Sequence, residues 1–219
     1  MLLWATSPTV TAVMALLFSA LPVFLGRMRG YLAAFAFYWL GFGFAFPLLV
    51  VGPRSLLSTL RPVPLPSGLA AVWIVAALAA PPLLAGVAVF RVRLREMTSA
   101  ILLASAAIAV VNAAAEELLW RGAFVRTFGG EPVLGFLVPA LGFAVWHLAP
   151  QIVLPSAQRG GPAAFVAGAL FLGLCWGAVA YVTGSIALTF VSHALTDFLG
   201  LGGFAYLRTR SGEPAALAV

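Results

Sequence analysis

The side chains able to do acid–base chemistry inside long apolar runs are few. They are Glu116, Glu117 and Arg121 in one run, His147 in a second, and His193 with Asp197 in a third. His147 and His193 are the only histidines of the 219 residues, and Asp197 is the only aspartate. An ionisable group in the middle of a bilayer costs at least ~2.5 kcal/mol on the insertion scale, so such residues face a bundle interior and mark function. Solvation does not explain why nearly all the acid–base side chains gather in three apolar runs.

Spacing gives their local geometry. Glu117 and Arg121 stand four apart with the acid N-terminal, the better order for a helix ion pair. Glu116 points about 100° away from Glu117 on a helix, which predicts separate tasks for the two carboxylates. Helical steps back from Glu116 meet Asn112 and Ser105, so one stripe of this helix is polar. His193 and Asp197 share a face at a spacing of four, where the carboxylate can orient an imidazole, and Phe143 lies one turn before His147. Taken singly, each feature has a plain structural reading: an ion pair, a histidine bonded to a carbonyl, a satisfied His–Asp pair. Their joint occurrence predicts three helix faces converging on one buried polar pocket.

The elements that must position these residues follow from composition. The chain is 63% hydrophobic and 8% charged, far from the roughly 45–50% and about 25% of a soluble domain. It holds enough apolar sequence for about six to eight crossings at roughly 20 residues each. All 12 basic residues are Arg, scattered singly or in small groups between apolar runs, which is the pattern of loop charges rather than of a nucleic-acid face. The lone Cys175 cannot form an intrachain disulfide. The fold class predicted is an all-α polytopic transmembrane helix bundle of about seven spans with a four-helix catalytic core. Residues 1–98 form an N-terminal three-span membrane region, 99–207 the catalytic helix core, and 208–219 a short polar tail.

The predicted spans are 8–26, 31–51, 69–90, 99–128, 133–149, 163–182 and 185–207. No Arg precedes the first apolar run, so 8–26 is read as a retained span and not a signal peptide. Residues 26–30 are read as a turn and the Pro-rich stretch 53–66 as a loop. Arg91, Arg93, Arg95 and Glu96 form the most charged loop. Pro81-Pro82 predicts a kink whose freed backbone groups neighbours must satisfy. Gly173 and Gly177 make a GxxxG close-packing face. The six tryptophans are read as packing or interface anchors, Ser185 and Ser192 as helix-packing groups or groups supporting the site residues from behind, and Arg126, Glu96, Glu131 and Glu213 as loop or tail charges. Arg distribution predicts an outside N-terminus and an inside C-terminus: Arg27, Arg29, Arg91, Arg93, Arg95, Arg159, Arg208 and Arg210 inside, Arg54, Arg61, Arg121 and Arg126 outside. One conflict stands: Glu116 lies ~25 Å along its span from Ser99, and His147 ~21 Å along the antiparallel next one, so their simple depths disagree.

Glu116-Glu117-Leu118-Leu119-Trp120-Arg121-Gly122 reads EExxxR followed by Gly, Phe143 to His147 reads FxxxH, and His193 to Asp197 reads HxxxN/D after Thr183-Gly184-Ser185. In this order the motifs resemble the CPBP family, the CAAX-protease and bacteriocin-processing group that includes the Rce-type prenyl-protein endopeptidases. The likeness covers about 99–200. It implies an intramembrane glutamic endopeptidase in which Glu116 activates water and Glu117 supports it with Arg121. His147 and His193 would bind the water or the developing oxyanion, and Asp197 would complete the site. Asp197 stands where prenyl-processing members have Asn. An ionised carboxylate cannot donate to an oxyanion, so orienting His193 suits it better. Amide hydrolysis needs a base for water, a donor for the oxyanion and an acid for the leaving amine, and this residue set supplies all three.

Other membrane-protease chemistries fit poorly. HExxH is absent, one aspartate cannot form an aspartyl dyad, and there is no GxSG. Two alternatives remain open. One is a metal-dependent version of the same protease, with Glu116, His147, His193 and Asp197 as ligands to Zn²⁺ or Fe²⁺; the reading adopted has no cofactor. The other is a non-catalytic scaffold, immunity or binding protein. The partners expected are membrane lipid and a membrane-anchored protein or peptide substrate, with no nucleic acid, in the cytoplasmic (inner) membrane of a bacterium. Arg without Lys and abundant Ala hint at a GC-rich gene.

Overall fold

The computed structural model describes residues 6–156 and 160–200. Six helices there are long and apolar enough to cross a membrane: α1 (Thr6–Leu25), α2 (Arg27–Val51), α3 (Leu69–Glu96), α4 (Ser99–Phe128), α5 (Val133–Ile152) and α6 (Gly161–Thr183). A seventh, α7 (Ala187–Leu199), is apolar but only 13 residues long, about 20 Å. The described residues contain no strand, and the protein is a multi-pass membrane helix bundle. Six crossing helices and a short seventh thus stand where about seven spans were expected. Arg159, Arg208, Arg210, Glu213, the end of the predicted seventh span and the tail 208–219 lie outside the described residues.

Boundaries move in three places, one of them Pro53–Ser58, a short helix inside the stretch expected to be a loop. Only Gly26, at φ +83°, separates α1 from α2, and Arg27 to Gly30 are already helical. A Cβ on Gly30 would fall 2.3 Å from the Pro22 nitrogen, so glycine is what allows the two helices to meet so tightly. The charged stretch Arg91–Glu96 is helical, not a loop, because no breaker stops α3 before Met97. Thr98 then caps α4, its Oγ1 accepting from the Ile101 amide at 3.3 Å.

The prolines of α3 behave as membrane prolines must. Pro82 has no N–H to give the Leu78 carbonyl, and the helix nonetheless runs on through Ala85. Ser192 Oγ on α7 donates to that carbonyl at 2.6 Å and accepts from Trp176 Nε1 on α6 at 2.9 Å. A freed backbone group is thus re-satisfied by a neighbouring helix. The GxxxG of α6 packs on α5: a Cβ at Gly173 would meet the Ala140 carbonyl at 3.0 Å, and one at Gly177 the Phe136 ring at 3.1 Å.

Loop contacts sort the helix ends into two sets. At one end Arg126 Nε donates to Ser55 Oγ (2.7 Å), Ile186 N to the Thr59 carbonyl (2.8 Å) and Ser185 Oγ to the Arg61 carbonyl (2.8 Å). At the opposite end Arg27 donates to the Val153 carbonyl at 3.0 Å. This end also receives the Arg91, Arg93 and Arg95 turn of α3, and so is the arginine-rich one. The depth conflict dissolves in this frame. From the turn that α4 and α5 share, Glu116 is 12 residues back from Phe128 and Trp146 is 13 on from Val133. Those are about 18 and 20 Å, one level. The two depths disagreed because they were taken from opposite ends of the bundle, and α4, at 30 residues, is longer than the bilayer core.

Candidate active site

Glu116 and Glu117 close the regular part of α4, and a π turn, Leu118–Gly122, follows at once. Such widened turns cluster at functional sites. Both carboxylates are buried, and both reach one imidazole. His193 Nδ1 stands 2.9 Å from Glu117 Oε1, and Nε2 stands 3.3 Å from Glu116 Oε2 and 3.6 Å from Asp197 Oδ2. The 100° between consecutive residues therefore does not send the two acids to separate places. It spreads them far enough for a ring from α7 to enter between them.

The imidazole is held on every side. Its face stacks on Trp176 at 4.2 Å and its edge meets Phe143 at 6.0 Å. Glu117 is held in turn: Thr189 Oγ1 donates to Oε2 at 2.5 Å, and Arg121 Nη1 lies 3.3 Å from Oε1. The Arg121 guanidinium lies over the Phe143 ring at 4.1 Å and near Trp176 at 5.5 Å. This buried pair is fixed by stacking as much as by charge.

Glu116 has its own set of donors. Trp146 Nε1 (3.0 Å) and Tyr38 Oη (3.2 Å) donate to Oε1, and Asn112 Nδ2 (3.2 Å) donates to Oε2. The same Asn112 nitrogen gives its other hydrogen to Asp197 Oδ2 at 2.9 Å, and its oxygen accepts from Trp39 Nε1 at 2.9 Å. Asp197 accordingly pairs closely with Asn112, while the short bond that orients His193 comes from Glu117.

His147 sits at the end of the regular part of α5, half-buried. Its Nδ1 is 2.6 Å from the Phe143 carbonyl, which can only accept, so Nδ1 carries the proton and Nε2 is left over. Its ring packs edge-on to Phe143 at 4.6 Å, the neighbour expected one turn earlier.

All six residues singled out by type and spacing are therefore gathered in one region. Exposure is one-sided. Toward the Ser55–Arg61 end, Glu117, Thr189, Trp120 and Arg121 are sealed; toward the arginine-rich end, Asp197 is 27% exposed and His147 half-buried. Among the described residues no three His, Cys, Asp or Glu side chains are grouped so as to hold a metal ion, and both His193 nitrogens already face carboxylates.

Residues 98–199, from the cap of α4 to the end of α7, match the family model described as type II CAAX prenyl endopeptidase Rce1-like. This segment is Rce1-like. No curated protein and no solved structure matches the chain. The Rce1-like segment contains every carboxylate, histidine and arginine of the pocket, and its match, together with the apolar helices, supports a membrane-embedded peptide hydrolase of the CAAX-protease type.

The Rce1-like segment does not contain the whole site. Tyr38 and Trp39 come from α2, and their roles were not legible from residue type. Trp39, Trp120 and Trp146, read as packing or interface anchors, each place an indole N–H in the hydrogen-bond network. The available signal was the polar atom itself: a buried Trp or Tyr must find a partner for its N–H or O–H.

Proposed function

We propose that the protein is an intramembrane endopeptidase that cuts membrane-associated proteins or peptides near a terminus with a water activated by Glu116. The observation carrying this reading is the convergence of two consecutive buried glutamates on the two nitrogens of one imidazole, His193. Glu116 Oε1 accepts from Tyr38 and Trp146, which turns Oε2, bonded to Asn112, toward His193 and the exposed flank. In the reaction Oε2 takes a proton from water while the water oxygen bonds to the scissile carbonyl carbon. The proton then passes from Glu116 to the leaving nitrogen as the C–N bond breaks.

The developing oxyanion needs a donor. His147 provides one through Nε2 when its ring is protonated, since its Nδ1–H is spent on the Phe143 carbonyl. His193 keeps a proton at Nε2, facing Glu116 Oε2 and Asp197 Oδ2, and so steadies the base oxygen. Glu117, Thr189 and Arg121 hold that ring and stay clear of substrate. Asp197, with Asn112, borders the exposed flank. The reading assigns the reaction no cofactor.

The exposed flank faces the arginine-rich end, which the positive-inside rule turns to the cytoplasm. In the inner membrane of a bacterium, that favours substrates presented from inside, such as lipid-anchored C-termini or peptide leaders, over exported ones. The decisive test is Glu116→Gln, which keeps the shape and the acceptor oxygen but not the base. Abolished cleavage with an unchanged fold is expected, and retained cleavage overturns the mechanism.

A further inference from the structure

Tyr38 is fully buried in α2, 60 residues before the Rce1-like segment begins. It opens an eight-residue π segment, Tyr38–Ala45. Close approach of α2 to α4 puts it there: a Cβ on Gly43 would fall 2.4 Å from the Ala115 Cβ, so the helices touch at glycine one residue before Glu116. The phenol ring stacks on Trp146 at 3.8 Å with an interplanar angle of 15°.

The direction of its hydrogen bonds is determined. Trp120 Nε1, 2.9 Å from the Tyr38 hydroxyl, can only donate, so the hydroxyl accepts there. Its single proton points to the remaining partner, Glu116 Oε1 at 3.2 Å. Trp146 Nε1 donates to the same oxygen. A carboxylate with one oxygen so occupied cannot rotate freely, and its other oxygen stays turned toward His193 Nε2 and Asn112.

We propose that Tyr38 is a positioning residue for Glu116, its hydroxyl holding Oε1 so that Oε2 is the oxygen presented to the reaction. The N-terminal spans thereby complete the active site. This rests on the reading of Glu116 as the base.

Two variants separate positioning from packing. Tyr38→Phe keeps the ring on Trp146 but removes the proton to Glu116 and leaves Trp120 Nε1 without its acceptor. Tyr38→Phe with Trp120→Phe removes that orphaned donor as well, so most of the structural cost disappears while Glu116 still lacks its hydroxyl. The substrate is a peptide copied from a chain terminus that requires Glu116 in host membranes, and kcat, KM and thermal unfolding are measured on the full-length protein.

Tyr38→Phe should lower both kcat, by about tenfold or more, and the unfolding temperature, with KM within about twofold. The double variant should regain most of the unfolding temperature and none of the kcat. Recovery of kcat together with stability, or a KM effect at unchanged kcat, would show that Tyr38 acts through packing and overturn the proposal. Glu116→Gln is assayed first. If no terminus requires Glu116, or the Gln variant cuts the peptide, the base reading has failed and the Tyr38 proposal falls with it before either Tyr38 variant is compared.

Discussion

Ser192 offers a test of how the bundle beneath His193 is held. Its hydroxyl donates to the Leu78 carbonyl that Pro82 leaves free and accepts from the indole of Trp176, the ring on which His193 stacks. Ser192→Ala strands both buried partners. Each stranded group costs about 1–3 kcal/mol in a protein interior, whereas hydrogen bonds between membrane helices average ~0.6 kcal/mol. The two scales together put the loss at about 2 kcal/mol. Pro82→Ala restores an N–H one helical turn from Leu78, so in that background Ser192→Ala loses only the Trp176 bond. Its cost should fall by about half, a coupling of about 1 kcal/mol. Equilibrium unfolding of the four proteins in mixed micelles, followed by tryptophan fluorescence, measures the cycle. A Ser192→Ala cost under about 0.5 kcal/mol, or the same cost in both backgrounds, would refute the reasoning.

Two further outcomes are expected. Gly43→Ala forces a methyl into the Ala115 contact, and overpacking of this kind costs about 1–3 kcal/mol. It should depress cleavage by drawing Tyr38 and Trp39 away from Glu116 and Asn112, and wild-type cleavage with wild-type stability would contradict that placement. Exhaustive chelation followed by assay in metal-free buffer should leave cleavage by the purified protein within about twofold of untreated, because both His193 nitrogens are committed to carboxylates. Loss that is restored by added Zn²⁺ or Fe²⁺ would instead favour the metal-dependent reading.

The ionisable part of the site was legible because charge is rare in an apolar chain and each buried instance needs a reason. The same logic could not reach Tyr38, Trp39, Trp120 and Trp146, since an aromatic ring that packs and one that also donates a hydrogen bond have the same letter. Periodicity gave the azimuths of Glu116 and Glu117 correctly, but not the ring arriving from α7 that both of them meet. Charge used as punctuation misplaced the end of α3: Arg91, Arg93 and Arg95 are compatible with helix, and the stop comes at Met97 and the Thr98 cap. The prolines went the other way. Their cost was foreseen, and Ser192 was read as a packing or supporting group, but not as the one that meets that cost. Its partner lies more than a hundred positions away, a pairing no local pattern contains.

The central claim is that Glu116 makes this protein a protease. A survey of new chain termini in the membranes of the native host, comparing wild type with Glu116→Gln at matched abundance, tests it most directly. The account predicts a set of termini that disappears in the variant, clustered near one shared sequence on the arginine-rich side of the membrane. Identical termini in both strains, with both proteins folded, would contradict it.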